Sequence, residues 1–276
     1  MGDPRTVVTG ISTDTRSVHR GDVFFALKGI HYDAHNFLGP AVERGATVCV
    51  VSRLPKQFSF PVVLPPTIVK VSDTRQALLD CAAYYRQKYG ENLVRVGVSG
   101  SCGKTTVKEM IAQILALAGP TVYSPGNFNN EIGCPLSVFR IDKDHRYGVF
   151  EIGASAPGEV KRLSELVSPM VAVITQIGLE HTETFGTIEK IAAGECEILE
   201  SLPDGGTAVL PRDDAFYDFM VSKLPRGRAI TVKSFGFSER SSVRIAEHKL
   251  WPAPVSFTFE HRGESGHLTD KMEGTL

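Results

Sequence analysis

Gly100, Gly103, Lys104 and Thr105 stand as G-x-x-G-K-T within SGSCGKTT, a spacing suited to a nucleoside triphosphate. Glycines there let backbone N–H groups close on phosphate oxygens, the lysine supplies a point charge, and the threonine hydroxyl can ligate magnesium. The general phosphate-loop pattern wants a further glycine at 98, where this chain has Val98 with Gly97 and Gly100 on either side. The surrounding elements therefore have to confirm the reading. Further along, Glu151 lies in the apolar run YGVFEI, His181 follows the run VAVITQI, and PGNFNNEIGCPLSV carries Asn127, Asn129 and Asn130 ahead of a helix beginning near Pro135. Each of these residues also has an ordinary reading, as a strand-end cap, a structural histidine or a turn former. A carboxylate and an imidazole near a phosphate loop favour metal and phosphate chemistry.

The elements that would position them are legible. Val94, Val96 and Val98 alternate as a buried strand running into the glycine turn. After Thr106, the residues Met110, Ile111, Ile114, Leu115 and Ala118 recur at helical spacing until Gly119-Pro120, which predicts an amphipathic helix with a stop signal. Tyr147 to Ile152 and Val171 to Ile177 are short unalternated apolar runs, as strands covered on both faces are. In an open parallel sheet, ligands gather beyond the carboxyl ends of strands, which puts Lys104, Thr105, Glu151 and His181 along one edge.

Ahead of this lies a small α/β module. Thr13-Asp14-Thr15-Arg16 is a polar cluster that could hold a sugar nucleotide, Gly21-Asp22 is a turn before the run Val23 to Leu27, and a short helix leads into the strand Thr47 to Val51. Pro55 to Pro66 reads as a surface crossing, Thr67 to Val71 as a strand, and Thr74 to Lys88 as a helix capped by Ser72-Asp73 with Ala77, Leu78, Cys81, Ala82 and Tyr85 on its packed face. The expected domains are residues 1–90 and 91–276. Beyond Thr207 come short strands and an extended, antiparallel stretch to about His261, and the last residues, from Arg262 onward, lack periodicity and are expected to fray.

Net charge is −1, from 30 basic and 31 acidic residues, which excludes bulk attraction to nucleic acid or anionic lipid and leaves any anion to be bound locally. Five cysteines, Cys49, Cys81, Cys102, Cys134 and Cys196, form no C-x-x-C pair and read as reduced thiols, with Cys102 inside the phosphate loop and open to alkylation. No apolar run is long enough for a bilayer, and although Met1-Gly2 with Thr6 satisfies the loose myristoylation pattern, Pro4 and the lack of a second anchor favour coincidence. The expected setting is soluble and cytoplasmic, without nucleic acid and without membrane insertion.

Together, SGSCGKTT, GNFNNEIGCP, Glu151-Ile152-Gly153 and His181 with Phe185-Gly186 resemble the Mur ligases of peptidoglycan synthesis over about residues 8–236. Within that family, N-x-N-N-E-I-G-x-P and E-I-G-A-S-A-P-G-E-V look most like the branch that joins D-alanyl-D-alanine to a UDP-N-acetylmuramoyl-tripeptide. The resemblance implies an α/β protein in which a small uridine-binding domain precedes a P-loop NTPase-like central domain with a mostly parallel sheet. It implies ATP and magnesium as cofactors and an acyl phosphate made from the substrate carboxylate. Gly100, Ser101, Cys102, Gly103, Lys104, Thr105 and Thr106 would hold the nucleotide. Lys104, Glu151 and His181 would be catalytic, Thr105 and Glu151 would hold one magnesium, and His181 a second metal. Asn127 and Asn130 would orient the UDP-N-acetylmuramoyl-peptide, and Asp14, Thr15 and Arg16 its uridine diphosphate end.

Two departures from the family pattern stand out. The chain stops before the family's third domain, which helps bind adenine and the amine, so a separate C-terminal domain or polypeptide is an expected partner. The lysine that the family carbamylates falls fourteen residues after the histidine, at Glu195, whose carboxylate would replace the carbamate as a metal ligand. The alternative is a register shift of the helix Ile188 to Leu202 that leaves Glu195 solvated beside Glu197. A catalytically silent nucleotide- and UDP-sugar-binding protein remains the second functional reading.

Overall fold

The computed structural model describes residues 3, 5–54, 65–180, 182–249, 255–261 and 264–270. His181, Met1, Gly2, Pro4 and most of the proline-rich crossing, residues 55–64, therefore lie outside the described residues. The chain divides into two compact units, Met1–Glu91 with Glu131–Ile141, and Asn92–Asn130 with Asp142–Leu276. The strands are β1 Gly10–Ser12, β2 Asp22–Phe25, β3 Val48–Val51, β4 Thr67–Lys70, β5 Val94–Ser99, β6 Thr121–Tyr123, β7 Tyr147–Glu151, β8 Val171–Ile174, β9 Thr207–Pro211, β10 Thr231–Gly236, β11 Val243–Lys249, β12 Val255–His261 and β13 Glu264–Asp270. The helices are α1 Leu38–Glu43, α2 Thr74–Tyr89, α3 Lys104–Ala116, α4 Gly133–Val138, α5 Glu159–Val167, α6 Thr182–Phe185, α7 Ile188–Glu195, α8 Glu197–Glu200 and α9 Tyr217–Ser222.

In the first unit β1 to β4 form a parallel sheet in sequence order. Phe24, Leu38, Ala41, Cys49 and Val51 make one cluster, and Phe25, Leu27, Val50 and Leu78 another, joined by Ile132 and Phe139. Asp73 starts α2 by accepting the amides of Arg75 and Gln76 at 2.8 and 3.2 Å, which satisfies two of the donors a helix start leaves over. The expected packed face of α2 is corrected at Cys81, which is exposed while its neighbours Leu78, Leu79 and Ala82 are buried.

The second unit is an α/β layer on a sheet ordered β13-β12-β11-β10-β9-β8-β5-β7-β6. Its pairs from β6 through β11 are parallel, and β11, β12 and β13 run antiparallel. Val96, Val98, Val149 and Val173 pack against Val107, Ile111, Ala112 and Leu115 of α3. Chain order leaves β5 for β6 on one side and returns to β8 on the other, so β5 sits where the strand order reverses, the place where such sheets open a crevice.

Three sequence expectations change here. Met110, Ile114 and Leu117 are 46%, 64% and 90% exposed, so the buried face of α3 is narrower than its apolar stripe and is turned towards Val107, Lys108, Ile111 and Ala112. The run expected as one helix from Ile188 to Leu202 is two helices, α7 and α8, meeting at Cys196. Of the stretch expected to fray, from Arg262 onward, the segment Glu264–Asp270 instead forms β13, paired with β12 from Val255↔Asp270 to His261↔Glu264, and the rest lies outside the described residues. Ladder pairing is a backbone property, so an outermost strand forms without the apolar alternation that a core-facing one shows.

Candidate active site

The glycine-rich loop starts where β5 ends. Gly100 has φ +118, and a Cβ there would meet Thr175 Oγ1 at 2.4 Å, which only glycine avoids. The loop is tied to the end of β8: Ser101 N donates to Gln176 O at 2.8 Å, Thr175 Oγ1 to Cys102 O at 2.6 Å, and Gly178 N to Ser101 Oγ at 2.9 Å. Gly103, left-handed at φ 80, opens α3 with no side-chain cap. The first-turn amides, the +0.5 charge end of the helix and the exposed hydroxyls of Thr105 and Thr106 are thus left for an anion. Lys104 folds back over this cradle, donating to Gly100 O at 2.5 Å and Ser101 O at 3.2 Å and pairing with Glu180 at 3.2 Å.

Glu151 ends β7 directly beside the loop, in register with Val98. It is 1% exposed. Its Oε1 accepts the Asn129 side-chain amide at 2.8 Å, and its Oε2 is buried without a hydrogen-bond partner. A buried carboxylate oxygen left over in this way is the donor type that magnesium takes, so the residues fit that ion. Asn129 also fills the space over Gly153 and accepts its amide at 2.9 Å. Asn127 and Asn130 are exposed on the same loop.

Glu195 is buried and faces the loop. Its Oε2 accepts the Gly100 amide at 2.8 Å and lies 2.5 Å from Ser99 Oγ, which also reaches Ile152 O at 2.8 Å. Burial pushes the Glu195 carboxyl above its ordinary range, against the opposing pull of Ser99, Lys104 and Gly100. Ser99 has one hydroxyl proton for two acceptors, Glu195 Oε2 and Ile152 O. The solvated alternative for Glu195 is overturned. Glu197 is engaged as well, accepting the amides of Gly158 and Lys161 at 2.9 Å each. Among the described residues no three His, Cys, Asp or Glu side chains converge as a metal cluster.

Sequence reasoning gave no role to Ser99, Ser124, Thr175, Glu180 or Lys108. Lys108 is fully buried in α3 and donates to Glu109, Ser124 O and Gly126 O. Its signal was present, a lysine one turn after Lys104 inside an apolar helical repeat. Of the thiols, burial holds Cys49, Cys134 and Cys196 up at about 12, which makes them inert as nucleophiles. Cys102 is exposed.

In the first unit a cavity of about 530 Å3 is lined by Thr13, Asp14, Thr15 and Arg16 with Tyr32 and Phe37. Asp14 takes Arg16 in a two-pronged ion pair, Nε at 3.0 Å and Nη2 at 2.6 Å, and these bonds hold the Asp14 carboxyl below its ordinary range. Tyr32 is 76% exposed at this cavity, an aromatic face that the sequence reading did not single out.

The model of the Mur ligase middle domain matches residues 98–273. This chain belongs to the Mur ligase family. The UDP-N-acetylmuramoyl-tripeptide–D-alanyl-D-alanine ligase of Treponema pallidum is 35% identical over 231 residues, 82% of this chain and 50% of the relative. That of Escherichia coli is 39% identical over 204 residues, 74% and 43% respectively. The crystal structure of MurF from Acinetobacter baumannii superposes with a TM-score of 0.86 at 34% identity, covering 96% of this Mur ligase chain and 56% of the other. The MurF ligase of Thermotoga maritima, solved in complex with ADP, gives 0.81 at 27% identity, covering 97% and 59%. The chain thus spans about half the length of the curated relatives it matches. Among the described residues no helix is long and apolar enough to cross a membrane.

Proposed function

We propose that residues 91–276 bind magnesium-ATP and residues 1–90 bind the uridine end of UDP-N-acetylmuramoyl-tripeptide, as the nucleotide half of a ligase that adds D-alanyl-D-alanine. The observation that carries this reading is the pairing of an uncapped helix start at Gly103 and Lys104 with the partnerless buried Oε2 of Glu151, one strand away in the same sheet. In the reaction, the peptide carboxylate attacks the γ-phosphorus, ADP leaves, and the amine of D-alanyl-D-alanine displaces phosphate from the acyl phosphate to form the amide. Lys104 and the loop amides would hold the β- and γ-phosphates, Thr105 and Glu151 one magnesium, and Glu195 with His181 a second. Bound there, the metal would supply charge neutralisation at the phosphoryl group. Preorganised donors of this kind are the largest source of rate in phosphoryl transfer. Asn127 and Asn130 would orient the peptide.

The ADP found with the Thermotoga relative supports the nucleotide reading. A cavity joining a carboxylate–guanidinium pair to an exposed tyrosine supports the uridine reading. The second reading is a silent binder of both nucleotides. Calorimetric titration with magnesium-ATP and with UDP-N-acetylmuramoyl-tripeptide tests the binding. Adding the remaining portion of a relative as a separate polypeptide then separates the two readings: a ligase half gains turnover and a silent binder does not. If neither ligand binds, both readings fail.

A further inference from the structure

Lys108 is 0% exposed and sits one helical turn beyond Lys104, yet it touches no phosphate-loop atom among its hydrogen bonds. Its three ammonium protons have three acceptors: Glu109 Oε1 at 2.6 Å, Ser124 O at 2.8 Å and Gly126 O at 3.0 Å. A buried ammonium with every proton assigned is directional, because moving any acceptor leaves a desolvated donor unpaired. The two carbonyls bracket the point where the chain leaves β6 and turns, at Gly126 with φ +50, into the asparagine loop. From that bracket two paths reach Glu151. Ser124 Oγ accepts the Glu151 amide at 3.2 Å, and the loop delivers Asn129, whose amide holds Glu151 Oε1 at 2.8 Å.

We propose that Lys108 is a positioning residue for the Glu151 carboxylate: it fixes the backbone at residues 124–126 and, through Ser124 and Asn129, sets where the partnerless Oε2 points. α3 thereby carries both the phosphate-facing lysine and, one turn later, the lysine that aims the metal-facing carboxylate. The proposal rests on reading Glu151 as a magnesium ligand. Groups that orient a ligand from behind typically cost about 10–100-fold in metal affinity when removed.

The test uses the full chain and measures ATP binding by calorimetry across a magnesium series and in chelator. For Lys108→Met the half-saturating magnesium concentration should rise about tenfold or more, while affinity for metal-free ATP stays near the parent's. Asn129→Ala removes the last link without touching the buried charge. It should shift magnesium dependence in the same direction, and the double variant should be no worse than the worse single one. A folded Lys108→Met with unchanged magnesium dependence, equal losses with and without metal, or additive effects would overturn the proposal. If Lys108→Met does not fold, Asn129→Ala decides alone, and unchanged magnesium dependence there overturns it. A parent chain that binds ATP with no magnesium dependence removes the reading of Glu151 itself, and that outcome is visible before any variant is made.

Discussion

Glu195 Oε2 accepts the backbone amide of Gly100 at 2.8 Å, so the first residue of the glycine-rich loop is anchored by a helix far along the chain. This makes the glutamate structural whether or not it binds metal. Glu195→Ala should cost about 1–3 kcal/mol of stability, the usual penalty for leaving a buried donor unpaired, while Glu195→Gln keeps an oxygen for Gly100 and should retain most of it. Chemical denaturation of the three proteins measures this.

The same position predicts independence from carbon dioxide. A side chain that already carries a carboxylate needs no carbamylation, so magnesium-dependent nucleotide binding should be the same with and without bicarbonate. Glu195→Lys should weaken it and make it respond to bicarbonate. A bicarbonate response in the unmodified chain would argue against Glu195 as the replacement ligand.

Asp33 gives a pH signature in the first unit. Its burial opposes ionisation, but Arg53 at 2.8 Å and His35 at 2.6 Å hold the carboxyl down to about 2. A depressed folded pKa contributes stability that is present above the ordinary value of 3.8 and is lost as pH falls from there through about 2. Asp33→Asn should therefore be less stable at pH 7 by about 1.5–3 kcal/mol, as for a hydrogen bond to a charged group. In thermal melts the gap should narrow below pH 3.8 and close as pH falls through about 2. A gap as wide at pH 2 as at pH 7 would show that packing, not charge, is responsible.

At the cavity of the first unit, Arg16→Ala should weaken UDP-N-acetylmuramoyl-tripeptide binding by an order of magnitude or so, since it removes a charged group from the lining. Tyr32→Ala should remove a smaller aromatic contribution of about 0.5–1.5 kcal/mol. Neither should alter ATP binding, and calorimetry with each ligand separates the effects.

The strand, glycine turn and helix around Lys104 were legible because each carries a local signature: alternation in Val94 to Val98, the spacing of Gly100 and Gly103, and the apolar repeat that follows. Glu151 was legible because a carboxylate closing a buried strand stands out from its neighbours. Lys108 was hidden, since a charged residue in an amphipathic repeat reads as solvent-facing unless its acceptors are known, and these come from residues 124 and 126. The same ambiguity of phase put Met110 and Ile114 in the core on paper and on the surface in the fold. The strand Glu264–Asp270 was missed because its pairing depends on a partner backbone and not on its own pattern.

Calorimetric titration of the chain beside Lys104→Ala decides whether the loop Gly100 to Thr106 with Glu151 holds magnesium-ATP. The parent chain should bind magnesium-ATP, and the variant, lacking a charged phosphate contact worth about 1.5–3 kcal/mol, should bind at least an order of magnitude more weakly. Equal affinity in the two proteins would contradict the assignment.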